Sequence, residues 1–122
     1  MRPTHRRLIA AGLIAGFLGG LATCQDTLGR ERVAVCRRAL PAVAQPAEVR
    51  LLRAGPGPAP GTVRVDYEAG SRRHWLLCRF GSGTDLVALT TEAAALSDAA
   101  LYMLKRFYLD TPDAAAADPG TR

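Results

Sequence analysis

The segment TVRVDYEAGSRRHWLLCRF, residues 62–80, constrains the fold more than any other part of the chain. Its first seven residues alternate between apolar and polar, which predicts a half-buried β-strand. After the short stretch AGSR, the run RHWLLCRF (73–80) predicts a second strand. Two strands joined by so few residues pair as an antiparallel hairpin. We therefore expect the domain to be built around an antiparallel sheet.

Two further segments have strand character, although their alternation is less regular. They are AEVRLLR (47–53) and DLVALTT (85–91). Between the first of them and the hairpin lies GPGPAPG (55–61), whose prolines and glycines predict an exposed loop. The sheet is therefore expected to contain three to four strands.

A helix is predicted on each side of the sheet-forming region. Residues 26–40 place apolar side chains at nearly helical spacing, with Cys36 on the apolar face, and Pro41 is expected to end this helix. Residues 98–109 form the second predicted helix, with Ser97 as its N-cap. The order of helix, strands and helix predicts an α+β domain.

Residues 1–24 resemble an export signal. A basic start is followed by fifteen uncharged residues (8–22) and a small-residue exit. The sequence LATC, ending at Cys24, resembles a lipoprotein box in which the cysteine is acylated. The alternatives are simple cleavage before Thr23 and an uncleaved membrane anchor. Each places the domain in the periplasm, and two of the three tether it to the membrane.

The chain is then expected to divide into three parts: the signal or anchor at 1–24, one domain at 25–110, and a disordered tail at 111–122 that is poor in large apolar residues. So small a domain needs a covalent staple. In an oxidising compartment Cys36 and Cys78 are the expected disulfide pair. Two free thiols, or pairing through Cys24, are the alternatives.

The net charge of the whole chain is +5. Three of its arginines lie in the amino-terminal segment, and the remainder, with 13 basic and 11 acidic residues, has a net charge of +2. That value is ordinary for a small domain and does not indicate a nucleic-acid partner.

The sequence contains no convincing catalytic or metal-binding pattern. His74 and Cys78 lie four residues apart on one predicted strand, about 13 Å at the usual rise, which is too far for a nucleophile and its base. Asp66 and Glu68 share a strand face but fit a solvated sheet surface, and the glycine-rich turn at 81–84 lacks the features of a phosphate loop. We therefore expect no enzyme activity, no cofactor and no bound metal.

Three aromatic residues of the hairpin, Tyr67, Trp75 and Phe80, are the candidate binding surface. Trp75 and Phe80 fall on opposite faces of the predicted strand, and core packing is expected to cover one of those faces. Aromatic side chains that the core leaves uncovered commonly mark a site of protein binding.

The combination of LATC, the segment CRRALP, WLLCRF and the closing LSDAALYMLKRFYLD resembles small uncharacterised exported, lipoprotein-like proteins of alphaproteobacteria. Such proteins are often encoded near permeases of branched-chain amino-acid transporters. The resemblance implies an accessory role in the cell envelope and assigns no active residue.

The expected function is thus that of a small exported, non-catalytic protein that binds another envelope protein, and the resemblance implies an association with a transporter. The alternative is a periplasmic small-molecule binding module or a hydrolase without a recognisable motif. Its site would lie between the sheet and the loop at 55–61.

Overall fold

The computed structural model describes residues 26–44 and 48–121. Helix α1 covers 26–43, and a meander of four strands follows it. The C-terminal region is helical in short pieces. The elements after α1 are β1 (Val49–Pro56), β2 (Thr62–Ala69), β3 (Arg72–Phe80), β4 (Leu86–Thr91), α2 (Asp98–Leu104), a π-helical turn (Lys105–Leu109), α3 (Pro112–Ala116) and a 3₁₀ turn (Pro119–Thr121).

The four strands form one antiparallel sheet in the order β1-β2-β3-β4. This confirms the α+β fold with four strands and a helix on each side of them in sequence. β2 and β3 pair without a break from Thr62↔Arg79 to Ala69↔Arg72, so the predicted hairpin is present. Its turn is tight because Gly70 and Ser71 both have positive φ angles, 58° and 67°, as a type I′ turn requires.

The sheet is irregular at its two outer strands. β1 contains a bulge between Leu51 and Arg53, and a register shift occurs where β3 meets β4. β1 also extends to Pro56, into the segment predicted to be loop. Pro56 is tolerated there because β1 is an edge strand and needs no amide hydrogen bond on its open side.

One face of the sheet carries the core. Val65 of β2, Leu76 and Cys78 of β3, and Leu40 of α1 have 0% exposure. The predicted disulfide is present: Cys36 in α1 is bonded to Cys78 in β3, with 5.9 Å between their Cα atoms. It fastens α1 to the core face of the sheet.

The expected end of α1 at Pro41 is wrong, because the helix continues to residue 43. Proline removes one backbone donor, but its fixed φ is compatible with helix. Leu40 is fully buried and Val43 packs against the core, so their burial favours one more turn. The N–H of Ala44 donates to the carbonyl of Leu40 at 3.0 Å and closes it.

The C-terminal helix begins where the sequence predicts. The Ser97 hydroxyl accepts a hydrogen bond from the N–H of Ala100 at 3.1 Å, the geometry of an N-cap. After Leu104 the helix widens into the π turn, in which the Asp110 N–H donates to the Lys105 carbonyl. The helical conformation nevertheless ends at Leu109, as predicted.

The structure differs from the disordered tail predicted at 111–122. Residues 112–116 form α3, and the 3₁₀ turn follows. Ala114 is 1% exposed and Asp118 is 2% exposed, so this segment is docked on the domain. The segment has few large apolar residues, and a polar contact between Arg37 of α1 and Asp118 holds it in place.

Candidate functional site

We use the term open face for the side of the sheet opposite the core. Along β2 and β3 the side chains alternate, with every second one buried in the core. α1 and α2 contribute Cys36, Leu40 and Leu101 to that core, so they pack on the core face. The residues of the open face in β1, β2 and β3, assigned from strand register, are Arg50, Arg53, Thr62, Arg64, Asp66, Glu68, Arg73, Trp75, Leu77 and Arg79.

Trp75 lies at the centre of the open face, opposite Asp66 in the β2–β3 register. The guanidinium carbon of Arg64 lies 5.5 Å from the centroid of the indole ring, within the range of a cation–π contact. The Nε of Arg64 donates to the Asp66 carboxylate at 3.1 Å. The indole is thus contacted by Arg64 and is partly buried without being part of the core.

Leu77 extends the apolar centre of this face and touches the loop that follows β1. A Cβ on Gly57 would lie 2.3 Å from the hydroxyl oxygen of Thr62 and 3.0 Å from Cδ1 of Leu77. Glycine at position 57 therefore allows the Pro–Gly loop to close against the edge of the open face.

The open face is rich in arginine. It carries five arginines and two carboxylates, and Arg50 donates to Glu68 at 3.1 Å. No ion pair links Arg53, Arg73 or Arg79 to a carboxylate of the described residues. The face therefore has an excess of positive charge around its apolar centre.

The structure does not bring the three predicted aromatic residues together. Tyr67 and Phe80 are each 6% exposed and belong to the core, whereas Trp75 lies on the open face. The physical reason is the two-residue period of a strand, which puts positions 75 and 80 of β3 on opposite faces. Of the predicted surface only Trp75 remains a candidate, and its arginine neighbours were not predicted.

Tyr67 instead belongs to a cluster with two polar side chains, His74 and Glu92. Its ring stacks on His74, with 5.4 Å between the centroids, and Nδ1 of His74 contacts the carboxylate of Glu92. Burial raises the pKa of the Tyr67 hydroxyl, and the nearby charge of Glu92 raises it further. The stacking of His74 on Tyr67 explains why this strand residue is partly covered.

The other groups considered for catalysis are engaged in structural contacts. Cys78 is bonded to Cys36 and has no thiol. Asp66 and Glu68 accept hydrogen bonds from separate arginines. In the turn at 81–84 the carbonyls of Gly81 and Gly83 accept hydrogen bonds from Arg32, at 3.3 and 2.7 Å. Carbonyl oxygens carry a partial negative charge, which is repelled by a phosphate.

The alternative function placed a site between the sheet and the Pro–Gly loop, and the cleft nearest to that position instead lies between α1 and the end of β1. Its volume is about 660 Å³. The described residues that line it are Asp26, Gly29, Arg30, Val33, Arg37, Ala54, Gly55 and Pro56. Among these described residues there are charged groups but no serine, threonine, cysteine or histidine.

Sequence reasoning missed the contact that holds the C-terminal segment. Arg37 of α1 donates from Nε and Nη2 to the two oxygens of Asp118, at 2.6 and 3.0 Å, and Nε of Arg38 lies 3.6 Å from the same carboxylate. The hydrogen bond from Arg37 lowers the pKa of Asp118, against the opposing effect of burial. The Gly120 N–H donates to the same carboxylate at 2.9 Å.

An exposed apolar patch lies on the C-terminal helix. Tyr102, Met103 and Phe107 are 62%, 55% and 65% exposed. We call these three residues the helix patch. It lies on helical elements outside the sheet and carries no cation–π contact among those found in the described residues.

The predicted lipid attachment at Cys24 and the signal segment lie outside the described residues. None of the helices in the described part of the chain has the length and hydrophobicity of a membrane-spanning segment. Nor do those residues contain a group of three or more histidine, cysteine, aspartate or glutamate side chains placed to hold a metal ion.

Comparison with known protein families, with curated proteins and with solved structures finds no match to this chain.

Proposed function

We propose that the protein is a small, non-catalytic protein of the periplasm, tethered to the membrane, that binds another envelope protein through its open face. The observation that carries this proposal is the position of Trp75. It lies on the face opposite the core, opposite Asp66 in the β2–β3 register, with the guanidinium of Arg64 over its ring. Tryptophan and arginine are the residue types most enriched at energetically important interface positions.

The shape of the open face favours a protein partner over a small ligand. The face is a sheet surface with an apolar centre and a charged rim, and this is the usual arrangement of a protein–protein interface. A binding site for a small molecule is normally a concave pocket that buries most of its ligand.

The tether is proposed from the amino-terminal sequence. Acylation of Cys24 would give the third cysteine a use that does not compete with the disulfide between Cys36 and Cys78. The intact mass of the mature protein, extracted from membranes, tests this point. A diacylglyceryl mass on a chain that begins at Cys24 supports the lipid tether, and a chain that begins at Thr23 refutes it.

The binding role is tested by affinity capture from solubilised envelopes with the wild-type protein and two variants. We expect Trp75→Ala to lose the captured protein and Phe107→Ala, a matched aromatic substitution in the helix patch, to retain it. Retention by both variants would contradict the proposal. An accessory role beside a transporter would be supported if the captured protein is a permease subunit.

The second candidate is a small-molecule binding module, and the cleft beside the Pro–Gly loop favours it. Its guanidinium groups would suit an anionic ligand, although Arg37 is already bonded to Asp118. Substitution of Arg30 by alanine separates the two functions. It would abolish small-molecule binding at the cleft and leave capture through the open face intact.

A further inference from the structure

We propose that the open face binds an extended segment of its partner that has apolar side chains at its centre and a carboxylate at each end. This inference rests on the proposed function and specifies the chemistry of the partner. The segment would lie along β3, the strand that carries both the apolar centre and two of the arginines without an acidic partner.

The order of side chains along β3 supplies the geometric argument. On the open face the strand presents, in sequence, Arg73, Trp75, Leu77 and Arg79. Successive residues on one face of a strand are about 6.6 Å apart, so the two arginines are separated by about 20 Å with the apolar pair between them. A partner strand with the same two-residue spacing would match all four positions at once.

The charges show which groups are available to a partner. Arg64 and Arg50 already donate to Asp66 and Glu68. Arg73 and Arg79 form no ion pair with the described residues, so a carboxylate can reach either without breaking an existing pair. Guanidinium and carboxylate form charge-assisted, often bidentate hydrogen bonds, which are stronger than neutral ones.

Discrete carboxylates fit this face better than a continuous line of phosphates. Asp66 lies opposite Trp75 and Glu68 lies opposite Arg73 in the register of β2 and β3. A nucleic-acid backbone or a layer of lipid headgroups would bring phosphates against these two carboxylates as well as against the arginines. A peptide can place its charges at the two ends and leave the centre apolar.

The test uses the chain's single tryptophan, because Trp75 then reports on this site alone. The indole N–H resonance is followed in an NMR titration with the blocked peptide Glu-Ala-Leu-Ala-Leu-Ala-Glu. The control is the same peptide with lysine at both ends. We expect the acidic peptide to shift the resonance, with weaker binding at high salt, and the basic peptide to leave it unchanged.

The matched variant is the double substitution Arg73→Glu with Arg79→Glu. Because the variant loses two charge-assisted hydrogen bonds and places like charges against the carboxylates of the peptide, we expect it to bind the acidic peptide at least about tenfold more weakly. It should bind the basic peptide better than the wild-type protein does. The proportion of folded protein is checked by the dispersion of the same spectrum.

Three results would overturn the inference: no shift with the acidic peptide, equal shifts with both peptides, or tighter binding to phosphatidylglycerol vesicles or a single-stranded oligonucleotide. Affinity capture with the same variants shows whether only the acidic-segment inference has failed or the proposed protein-binding function has failed as well. If capture requires Trp75 but is unaffected by the double arginine substitution, the protein-binding role stands and the acidic partner is refuted.

Discussion

Arg37 and Asp118, 81 residues apart, form a two-point hydrogen-bonded ion pair that fastens the last turn of the chain to α1. Asp118 is almost completely buried, and the guanidinium of Arg37 is partly so. Deleting one partner leaves the other charge with an incomplete set of hydrogen bonds, which costs more than the pair itself contributes. The C-terminal segment is therefore part of the folded domain.

We expect Asp118→Asn to destabilise the domain by about 1 to 3 kcal/mol, because the buried side chain loses its charge-assisted hydrogen bonds. Urea unfolding measures the loss, and amide hydrogen exchange should show that residues 112–121 open first. Asp113→Asn is the matched control, since Asp113 is exposed. Equal stability of the two variants would contradict the role given to Asp118.

The same carboxylate predicts a dependence of stability on pH. Arg37 lowers the pKa of Asp118 in the folded state, whereas the unfolded value is about 3.9. The stabilisation by Asp118 is therefore present above about pH 4 and is lost as the pH falls through the lower folded value. Unfolding free energies measured from neutral to acid pH should show a gap between wild type and Asp118→Asn that narrows only in acid. A gap that is the same at every pH would be inconsistent with this pairing.

The disulfide is expected to supply much of the stability of so small a domain. Cys36 and Cys78 are 42 residues apart in sequence, and closing a loop of that size contributes about 4 kcal/mol in the chain-entropy treatment. The double variant Cys36→Ala with Cys78→Ala should lose about 2 to 4 kcal/mol in urea unfolding. Adding reductant should destabilise the wild-type protein but leave the double variant unchanged. A wild-type protein insensitive to reductant under unfolding conditions would argue against the bond.

Substitution of glycine by alanine is expected to have opposite effects on the stability of the domain at two positions. Gly70 has a φ of 58° in the β2–β3 turn, so Gly70→Ala should cost about 1 kcal/mol. Gly29 lies in α1 with no atom within 4 Å of an added Cβ, so Gly29→Ala should stabilise the domain by up to about 1 kcal/mol. Thermal unfolding of both variants measures the difference. Changes of the same sign would show that the turn or the helix is wrongly assigned.

Local pattern predicted those parts of the fold that depend on neighbouring residues. The alternation in residues 62–80 sufficed for the hairpin. The disulfide between Cys36 and Cys78 was predicted from the expected oxidising compartment and the small size of the domain. The continuation of α1 past Pro41 could not be predicted, because it depends on how Leu40 is buried. The docking of Asp118 could not be predicted either, because its partner is remote in sequence and the surrounding alanines give no strong apolar signal.

The candidate site was predicted only in part for a similar reason. The two-residue period separates Trp75 from Phe80, but it does not indicate which face the helices cover. The arginines around Trp75 come from three strands, and only the pairing register places them together. Composition indicated an ordinary net charge, whereas the structure shows that much of the positive charge is concentrated on one face.

Photo-crosslinking in living cells that produce the protein tests most directly whether the open face is the partner-binding surface. A benzophenone amino acid is placed at Thr90, which pairs with Leu77 beside the apolar centre, or at Phe107 in the helix patch as control. We predict a light-dependent adduct with one envelope protein from position 90, lost on the added substitution Trp75→Ala, and no such adduct from position 107. An adduct from position 107 alone, or none from position 90, would contradict the claim.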